Sequence, residues 1–312
     1  MDDTPLKLSA FSDEISPEPD EQIRVCRAVG VTHVELRHVR GINVLDFDSA
    51  LREEVRRKLA DAGMGVICIG SPIGKVKIND PWPPHFERFK TAVELAEYFQ
   101  APYVRIFSYY PPETGGDMQE HRDEVLRRMK EKVDYVRDRK VTILHENEKG
   151  IFGDRGGSCF DLIVSVNSPK LRCAFDFANF VQVGEQPLSN WRRLKPYTAH
   201  IHVKDAKLKD GTIVPAGQGD GDVGRIIGDA YASGYRGFLA LEPHLAKDMQ
   251  FSGFSGPELF TKAAVALKEL CRKNRVPIAG EPPLEPLPPP PPPRTAAVKE
   301  PATSPPASTK PS

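Results

Sequence analysis

The chain has few cysteines, and none of them is paired at metal-binding spacing. An odd number of cysteines is scattered along the 312 residues, with no CxxC motif: Cys26, Cys68, Cys159, Cys173 and Cys271. A disulfide framework or a thiolate zinc site would need closely spaced pairs. The pattern therefore speaks against both and favours a reducing compartment.

The chain also lacks an excess of either charge and any long hydrophobic run. Lys plus Arg and Asp plus Glu are both 43, which gives zero formal net charge, whereas nucleic-acid-binding proteins usually carry surplus basic charge. No apolar stretch approaches the roughly 20 residues that span a bilayer. The N-terminal sequence MDDTPLKLSAFSDEIS starts acidic and has no signal-peptide core. We expect a cytoplasmic protein that acts on a small molecule, with no nucleic-acid or membrane partner; self-association into a homo-oligomer stays open.

Apolar, strand-like runs alternate eight times with amphipathic, helix-like segments. Such βα alternation predicts parallel strands joined by helices, and eight units in about 275 residues fit a (β/α)8 barrel, typically about 250 residues long. A doubly wound open sheet is the alternative, but no GxGxxG follows the first run. The predicted strands are residues 6–12, 32–37, 65–70, 103–108, 141–146, 171–176, 199–204 and 237–242.

The composition changes at Pro277. Residues 1–276 form the predicted barrel, and residues 277–312 are rich in Pro, Ser, Thr and Ala and contain no aromatic side chain. Such a segment cannot bury enough surface to offset its chain entropy, so a disordered Pro-rich tail is expected. Its six-proline run could instead form a polyproline II rod that binds a Pro-recognising domain.

Four predicted strands end in a side chain that can bind a metal ion. Each of these runs is apolar up to the candidate ligand and polar after it: Glu146, Asp176, His202 and Glu242. The carboxyl ends of barrel strands meet at one mouth, where TIM-barrel enzymes carry their active sites. This hard, mostly oxygen set suits Mn²⁺, with Mg²⁺, Co²⁺ or Zn²⁺ as alternatives. The four residues predict one divalent metal site.

Other polar residues near the strand ends are candidates for binding the substrate. His200 shares a strand face with His202 and is either a substrate contact or a packed core histidine. Lys204 is either a substrate contact or half of a solvent-exposed ion pair. Glu148 follows Glu146 on the same side and would lie further out, and Glu35 is a candidate for a hydrogen bond to the substrate.

These strand ends, with HVKDA (202–206) and VPAGQGDG (214–221), resemble the sugar phosphate isomerase/epimerase family of xylose isomerase-like TIM barrels. The resemblance covers about residues 6–275. It implies that all four strand-end residues bind one metal ion and that Glu146 and Glu242 also move the substrate proton. Ketose 3-epimerases of this family have a histidine three residues after the aspartate, where this chain has Asn179, which becomes a candidate substrate contact. They also have an arginine in the loop after the metal histidine, where this chain offers only Lys207 and Lys209.

The leading functional hypothesis is a metal-dependent isomerase or epimerase of a sugar or sugar-like keto or polyol substrate. Glu146 or Glu242 would remove a proton next to a carbonyl, a metal-stabilised enediolate would form, and the other carboxylate would return a proton. A lyase or dehydratase acting on a keto-sugar or keto-inositol, including 3-keto-glycoside cleavage, would use the same first step. Phosphodiester cleavage at a three-zinc site and a metal-binding module without turnover are the further alternatives.

Overall fold

Eight parallel strands close into a barrel in the computed structural model, which describes residues 3–246 and 253–282. Each strand overlaps its predicted run, and β1 pairs with both β2 and β8, so the open-sheet alternative is excluded. The strands are β1 Lys7–Ala10, β2 His33–Leu36, β3 Gly65–Ile69, β4 Tyr103–Ile106, β5 Thr142–Glu146, β6 Leu171–Asp176, β7 Thr198–Val203 and β8 Phe238–Leu241.

Helices follow the strands and cover the outside of the barrel. In α2, for example, Leu51, Val55 and Leu59 are buried at helical spacing, and the Asp48 carboxylate caps the helix by accepting from Leu51 N at 2.8 Å. The helices are α1 Pro19–Ala28, α2 Ser49–Asp61, α3 Trp82–Tyr98, α4 Arg122–Tyr135, α5 Gly156–Val166, α6 Phe177–Gln182, α7 Pro187–Leu194, α8 Val223–Ala232 and α9 Gly256–Lys273.

Short elements shape the loops between strands and helices. Two small antiparallel hairpins pair His38–Val39 with Ile42–Asn43 and Asp205–Ala206 with Ile213–Val214. Single 3-10 turns lie at Ser12–Glu14, Val44–Asp46, Met118–His121, Phe152–Asp154 and Lys195–Tyr197. Within the described residues, no helix is long and apolar enough to cross a membrane.

The barrel interior changes from apolar to polar along the strands. Leu144 and Ala174 belong to a small buried cluster against which Tyr103 packs. Side chains two positions apart on a strand point the same way. Residues 105, 146 and 176 each follow one of these three residues by two positions, so they point into the barrel as well, nearer the carboxyl ends of their strands. The apolar cluster therefore forms a floor, and the polar residues stand above it at the barrel mouth.

The chain remains in contact with the barrel beyond the composition change at Pro277. Leu6 N donates to Pro277 O at 2.9 Å, Ala279 N donates to Leu6 O at 2.8 Å, and Glu281 pairs with Lys268 at 2.6 Å. These bonds hold residues 277–281 against the start of β1 and against α9. The rest of the predicted tail, including the six-proline run, lies outside the described residues, so its disorder stays a prediction.

A completely buried lysine lies outside the barrel mouth. Lys132 on α4 has no exposed surface, and its Nζ donates to the Tyr109 hydroxyl at 2.6 Å. Burial disfavours the ammonium and the Arg128 guanidinium repels it, so the pKa of Lys132 lies well below the usual lysine value. The folded protein therefore holds this proton less tightly than the unfolded chain does.

This proton difference predicts how stability depends on pH. Between the lowered pKa and the usual lysine value of about 10.4, the unfolded chain binds more protons, so the free energy of unfolding rises with pH. Lys132→Met removes that contribution. We expect the stability of the wild type relative to Lys132→Met to rise from neutral pH to about pH 10, as measured by chemical denaturation. A pH-independent difference would show that Lys132 stays protonated in the folded state.

Candidate active site

The four predicted metal ligands come together at the carboxyl ends of adjacent strands. Ligand atoms of Glu146, Asp176, His202 and Glu242 all lie within 4.8 Å of one another, and each residue is at most 3% exposed. Glu146 and Asp176 are the last residues of β5 and β6, His202 lies in β7, and Glu242 follows β8 directly. The four residues therefore converge as predicted. That they bind a metal ion stays a prediction.

Asp176 is fixed because it also begins a helix. Its side chain is the N-cap of α6, with Oδ1 accepting from Asn179 N at 2.8 Å. The neighbouring Asn147 side chain accepts from Asp176 N and donates to Asp176 O, both at 3.0 Å. These bonds tie the ends of β5 and β6 together. They leave Asp176 Oδ2 as the oxygen directed at the cluster.

His202 sits at the centre of the carboxylates. Its Nδ1 lies 2.9 Å from Glu146 Oε1 and 3.7 Å from Glu242 Oε2, while its Nε2 lies 3.1 Å from Glu35 Oε2. Burial alone would lower the pKa of His202, but the Glu35 and Glu146 carboxylates raise it well above the usual value. A metal ion bound to Nδ1 would have to displace a proton from this imidazole.

Three cationic side chains also reach the carboxylates. Lys204 Nζ lies 3.0 Å from Asp176 Oδ2 and 3.3 Å from Glu242 Oε2. Arg105 lies 3.1 Å from Glu146 Oε2, and Arg37 lies 3.4 Å from Glu242 Oε1. Both guanidinium groups lie over the Phe11 ring, 4.7 Å from its centroid.

The ionisation of the carboxylates reflects their surroundings. Burial raises the pKa of Asp176, and with the nearby Glu242 and Glu146 charges it outweighs the Lys204 ammonium, which lowers it; the pKa is about 7. For Glu242, burial is outweighed by Lys204 and His244, so its pKa lies well below the usual value. For Glu146, His202 and Arg105 likewise outweigh burial and lower the pKa.

The donor set and its charge fit a divalent cation. Glu14, Asp13 and Glu35 add three carboxylates to Glu146, Asp176 and Glu242, and these face Arg37, Arg105, Lys204 and the imidazoles of His202 and His244, whose pKa values are raised. Asp176 Oδ2 is buried and receives no well-oriented hydrogen bond. A second cluster, Glu14 with Glu242 and His244, lies beside the first. Because the ligand atoms of Glu146, Asp176 and Glu242 converge, a bound divalent ion would offset the repulsion between these carboxylates.

Two predicted substrate contacts, Glu35 and His200, lie below the mouth. Glu35 and His200 have no exposed surface. His200 Nε2 lies 2.6 Å from Glu35 Oε1, and the other Glu35 oxygen faces His202. His200 is therefore a packed core histidine, the alternative considered above. Glu35 reaches this depth at a register shift between Val34 and Glu35 in the β2–β3 pairing.

The other predicted contacts divide between the site and its edge. Lys204 lies within the cluster, in a buried ion pair and not a solvent-exposed one. Glu148 stands at the rim, where it pairs with Lys75 at 2.6 Å. The Asn179 side chain does not face the cluster, because its Nδ2 donates to Asn147 O at 2.8 Å. Its expected role as a substrate contact is thus not supported by its orientation.

Four residues that shape the site are not among the predicted site residues. His244 Nε2 lies 3.2 Å from Glu14 Oε1 and 3.4 Å from Glu242 Oε1. Glu14 also accepts from His244 N and from the Ser255 hydroxyl, so it holds these two residues. Arg37 and Arg105 are the other two. Arg105 carried a signal, because a charged residue inside an apolar strand needs a buried partner.

The Gly-rich loop at residues 214–221 is held by the Asp205 carboxylate. Asp205 accepts from the backbone N–H groups of Gly217, Gly219 and Gly221 at 2.9–3.0 Å. A Cβ at Gly219 would lie 2.5 Å from Asp205 Oδ1, so only glycine allows this approach. Asp222 makes no side-chain cap to α8.

The comparisons with known proteins agree with this architecture. The family model for the xylose isomerase-like TIM barrel matches residues 23–270. The chain belongs to this family. A curated relative, a 3-dehydroshikimate dehydratase of Bacillus anthracis, is 20% identical over 173 residues, which is 55% of this chain and 60% of the relative. The match thus spans less than two thirds of that relative's length.

Solved structures resemble this chain over most of its length. A xylose isomerase-like TIM barrel protein of Mycobacterium smegmatis, solved in complex with magnesium, has a TM-score of 0.67 at 17% identity and covers 87% of this chain and 98% of its own. An L-ribulose 3-epimerase has a TM-score of 0.68 at 14% identity, covering 87% and 96%. At these identities the likeness establishes the fold.

Proposed function

We propose that this protein is a divalent-metal-dependent isomerase or epimerase that transfers a proton next to the carbonyl of a sugar-like keto substrate. The observation that carries the proposal is the approach of two buried carboxylates, Glu146 and Glu242, to the same His202 nitrogen. Membership of a family whose solved structures include a ketose epimerase supports the same class of reaction.

The proposed roles follow from position. Glu146 and Glu242 come from β5 and from the end of β8, so they approach the centre of the mouth from different strands. One carboxylate removes a proton from carbon, and the other returns a proton to the neighbouring or the same carbon. Arg105 lies 3.1 Å from Glu146 and 3.8 Å from Glu242, and it orients both.

Glu146, Asp176, His202 and Glu242 would hold the metal ion, with Mn²⁺ as the proposed ion. The ion would supply Lewis-acid polarisation of the substrate carbonyl, which acidifies the adjacent C–H bond. The chain's own contribution is to orient these donors, as the α6 helix cap does for Asp176.

Elimination is the second candidate function. After the same proton removal, a hydroxyl on the next carbon would leave as water, with its proton supplied by the protein. The Lys204 ammonium and the Arg37 guanidinium, both within 3.4 Å of Glu242, favour this alternative because they would stabilise negative charge on a departing oxygen. The dehydratase relative supports it independently.

Mass spectrometry in D₂O would test both reactions. The Mn²⁺-loaded full-length chain would be incubated with ketopentoses, ketohexoses, their phosphates and cyclic keto-polyols. We expect a substrate to gain deuterium at one carbon while keeping its composition. Loss of water from the same substrate would instead identify a dehydratase.

A chelator-treated sample and the Glu269→Gln variant provide controls. Glu269 is exposed on α9, so its substitution changes the chain's charge without touching the mouth. Full exchange in the chelator-treated protein would contradict the metal requirement. No exchange with any keto substrate would contradict the proposed reaction and favour a non-catalytic module.

A further inference from the structure

A buried hydrogen-bonded chain leads from the barrel interior to the candidate metal centre. Glu35 accepts at both oxygens from imidazoles: Oε1 lies 2.6 Å from His200 Nε2, and Oε2 lies 3.1 Å from His202 Nε2. All three side chains are completely buried. The proposed reaction does not use Glu35 or His200, and a buried carboxylate without a role would be costly.

The donor and acceptor pattern of this chain fixes the orientation of His202. An ionised carboxylate only accepts, so each imidazole must present an N–H to it. The Nε2 of His202 therefore carries a proton, and its Nδ1 points at Glu146 Oε1, 2.9 Å away. In the neutral tautomer that donates from Nε2, the lone pair lies on Nδ1, on the side of the carboxylate cluster.

We propose that Glu35 is a positioning residue that holds His202 in the tautomer whose Nδ1 binds the metal ion. His200 in turn holds Glu35 from below. This inference rests on the proposed metal site and adds a residue that acts through a ligand. Carboxylates that orient a metal-binding histidine typically contribute 10–100-fold to metal affinity.

The contact between His200 and Glu35 is a short hydrogen bond. The 2.6 Å separation between His200 Nε2 and Glu35 Oε1 is typical of a strong hydrogen bond between an imidazole and a carboxylate. His200 therefore supports Glu35, and Glu35 supports the site above it.

Glu35→Gln tests the proposal because it keeps the shape of the side chain and changes its pattern of hydrogen-bond donors and acceptors. Glutamine offers one acceptor and one donor group, so it cannot accept from both imidazoles. We expect the dissociation constant of Mn²⁺, measured by calorimetry, to rise about 10–100-fold. Histidine ¹⁵N NMR of the Mg²⁺-loaded wild type should show a proton on His202 Nε2, and this signal should shift or disappear in the variant.

His200→Gln is the matched control. Its amide can still donate to Glu35 Oε1 and leaves the Glu35 Oε2 contact with His202 in place. We expect its Mn²⁺ affinity to stay within about threefold of the wild type, although both variants alter the same buried chain. Equal losses of Mn²⁺ affinity in the two variants would indicate general disruption of the core and overturn the proposal.

The two readouts separate this inference from the proposed function. If the wild type binds no metal ion, the proposed function falls, and NMR of the metal-free protein still decides whether Glu35 holds the proton on His202 Nε2. If the wild type binds Mn²⁺ and Glu35→Gln binds it equally well with an unchanged His202 signal, the positioning role is refuted while the metal site stands.

Discussion

Glu242→Gln is expected to slow solvent-deuterium exchange of the substrate by about 10²–10⁴-fold, the usual contribution of a general acid or base. Glu242 is 3% exposed and lies within 4 Å of Lys204, Arg37 and His202. Glutamine has nearly the same volume but cannot take up a proton. The substitution also removes one anionic metal ligand, so the Mn²⁺ content of the purified protein should fall.

Measurement of metal content and exchange rate together separates these two effects. Exchange would be followed by mass spectrometry at saturating Mn²⁺, where loss of affinity alone is compensated. Glu146→Gln should give a loss of similar size, and the exposed Glu269→Gln should give none. A Glu242→Gln protein that exchanges at the wild-type rate would eliminate Glu242 as proton carrier.

Lys204→Met is expected to lower the free energy of unfolding by about 3–5 kcal/mol when a chelator is present. Lys204 is 5% exposed and lies close to both Asp176 and Glu242. Without its ammonium, two buried carboxylates face each other with less compensating charge. This decrease in the free energy of unfolding should be smaller at saturating Mn²⁺, because a bound cation replaces the missing positive charge.

Chemical denaturation with and without Mn²⁺ would measure the loss of stability in Lys204→Met and how far Mn²⁺ reduces it. Lys195→Met is the matched control, because Lys195 pairs with Asp229 at 3.1 Å on the surface, where both side chains are more than a third exposed. Such pairs contribute at most about 1 kcal/mol. If Lys204→Met loses no more than the control, or if Mn²⁺ fails to narrow the difference, Lys204 does not compensate the cluster.

The sequence by itself determined the barrel and the four residues at its mouth. Parallel strands that are buried on both faces read as apolar runs, and the first polar residue after each run marks the carboxyl end. Glu146, Asp176 and Glu242 each stand at such a boundary. Because closure brings all carboxyl ends to one mouth, adjacency in space followed from position along each strand.

Only the tertiary structure decided how deep each polar side chain lies and which partner it has. Glu35 also stands near a strand end, but the register shift beside it and the stagger of the closed barrel place it beneath His202. Likewise, the pairing of Lys204 with Asp176 and of Arg37 with Glu242 joins strands that are distant in sequence. Depth and pairing depend on the register shift in the β2–β3 pairing and on the stagger of the strands, and both are properties of the closed barrel.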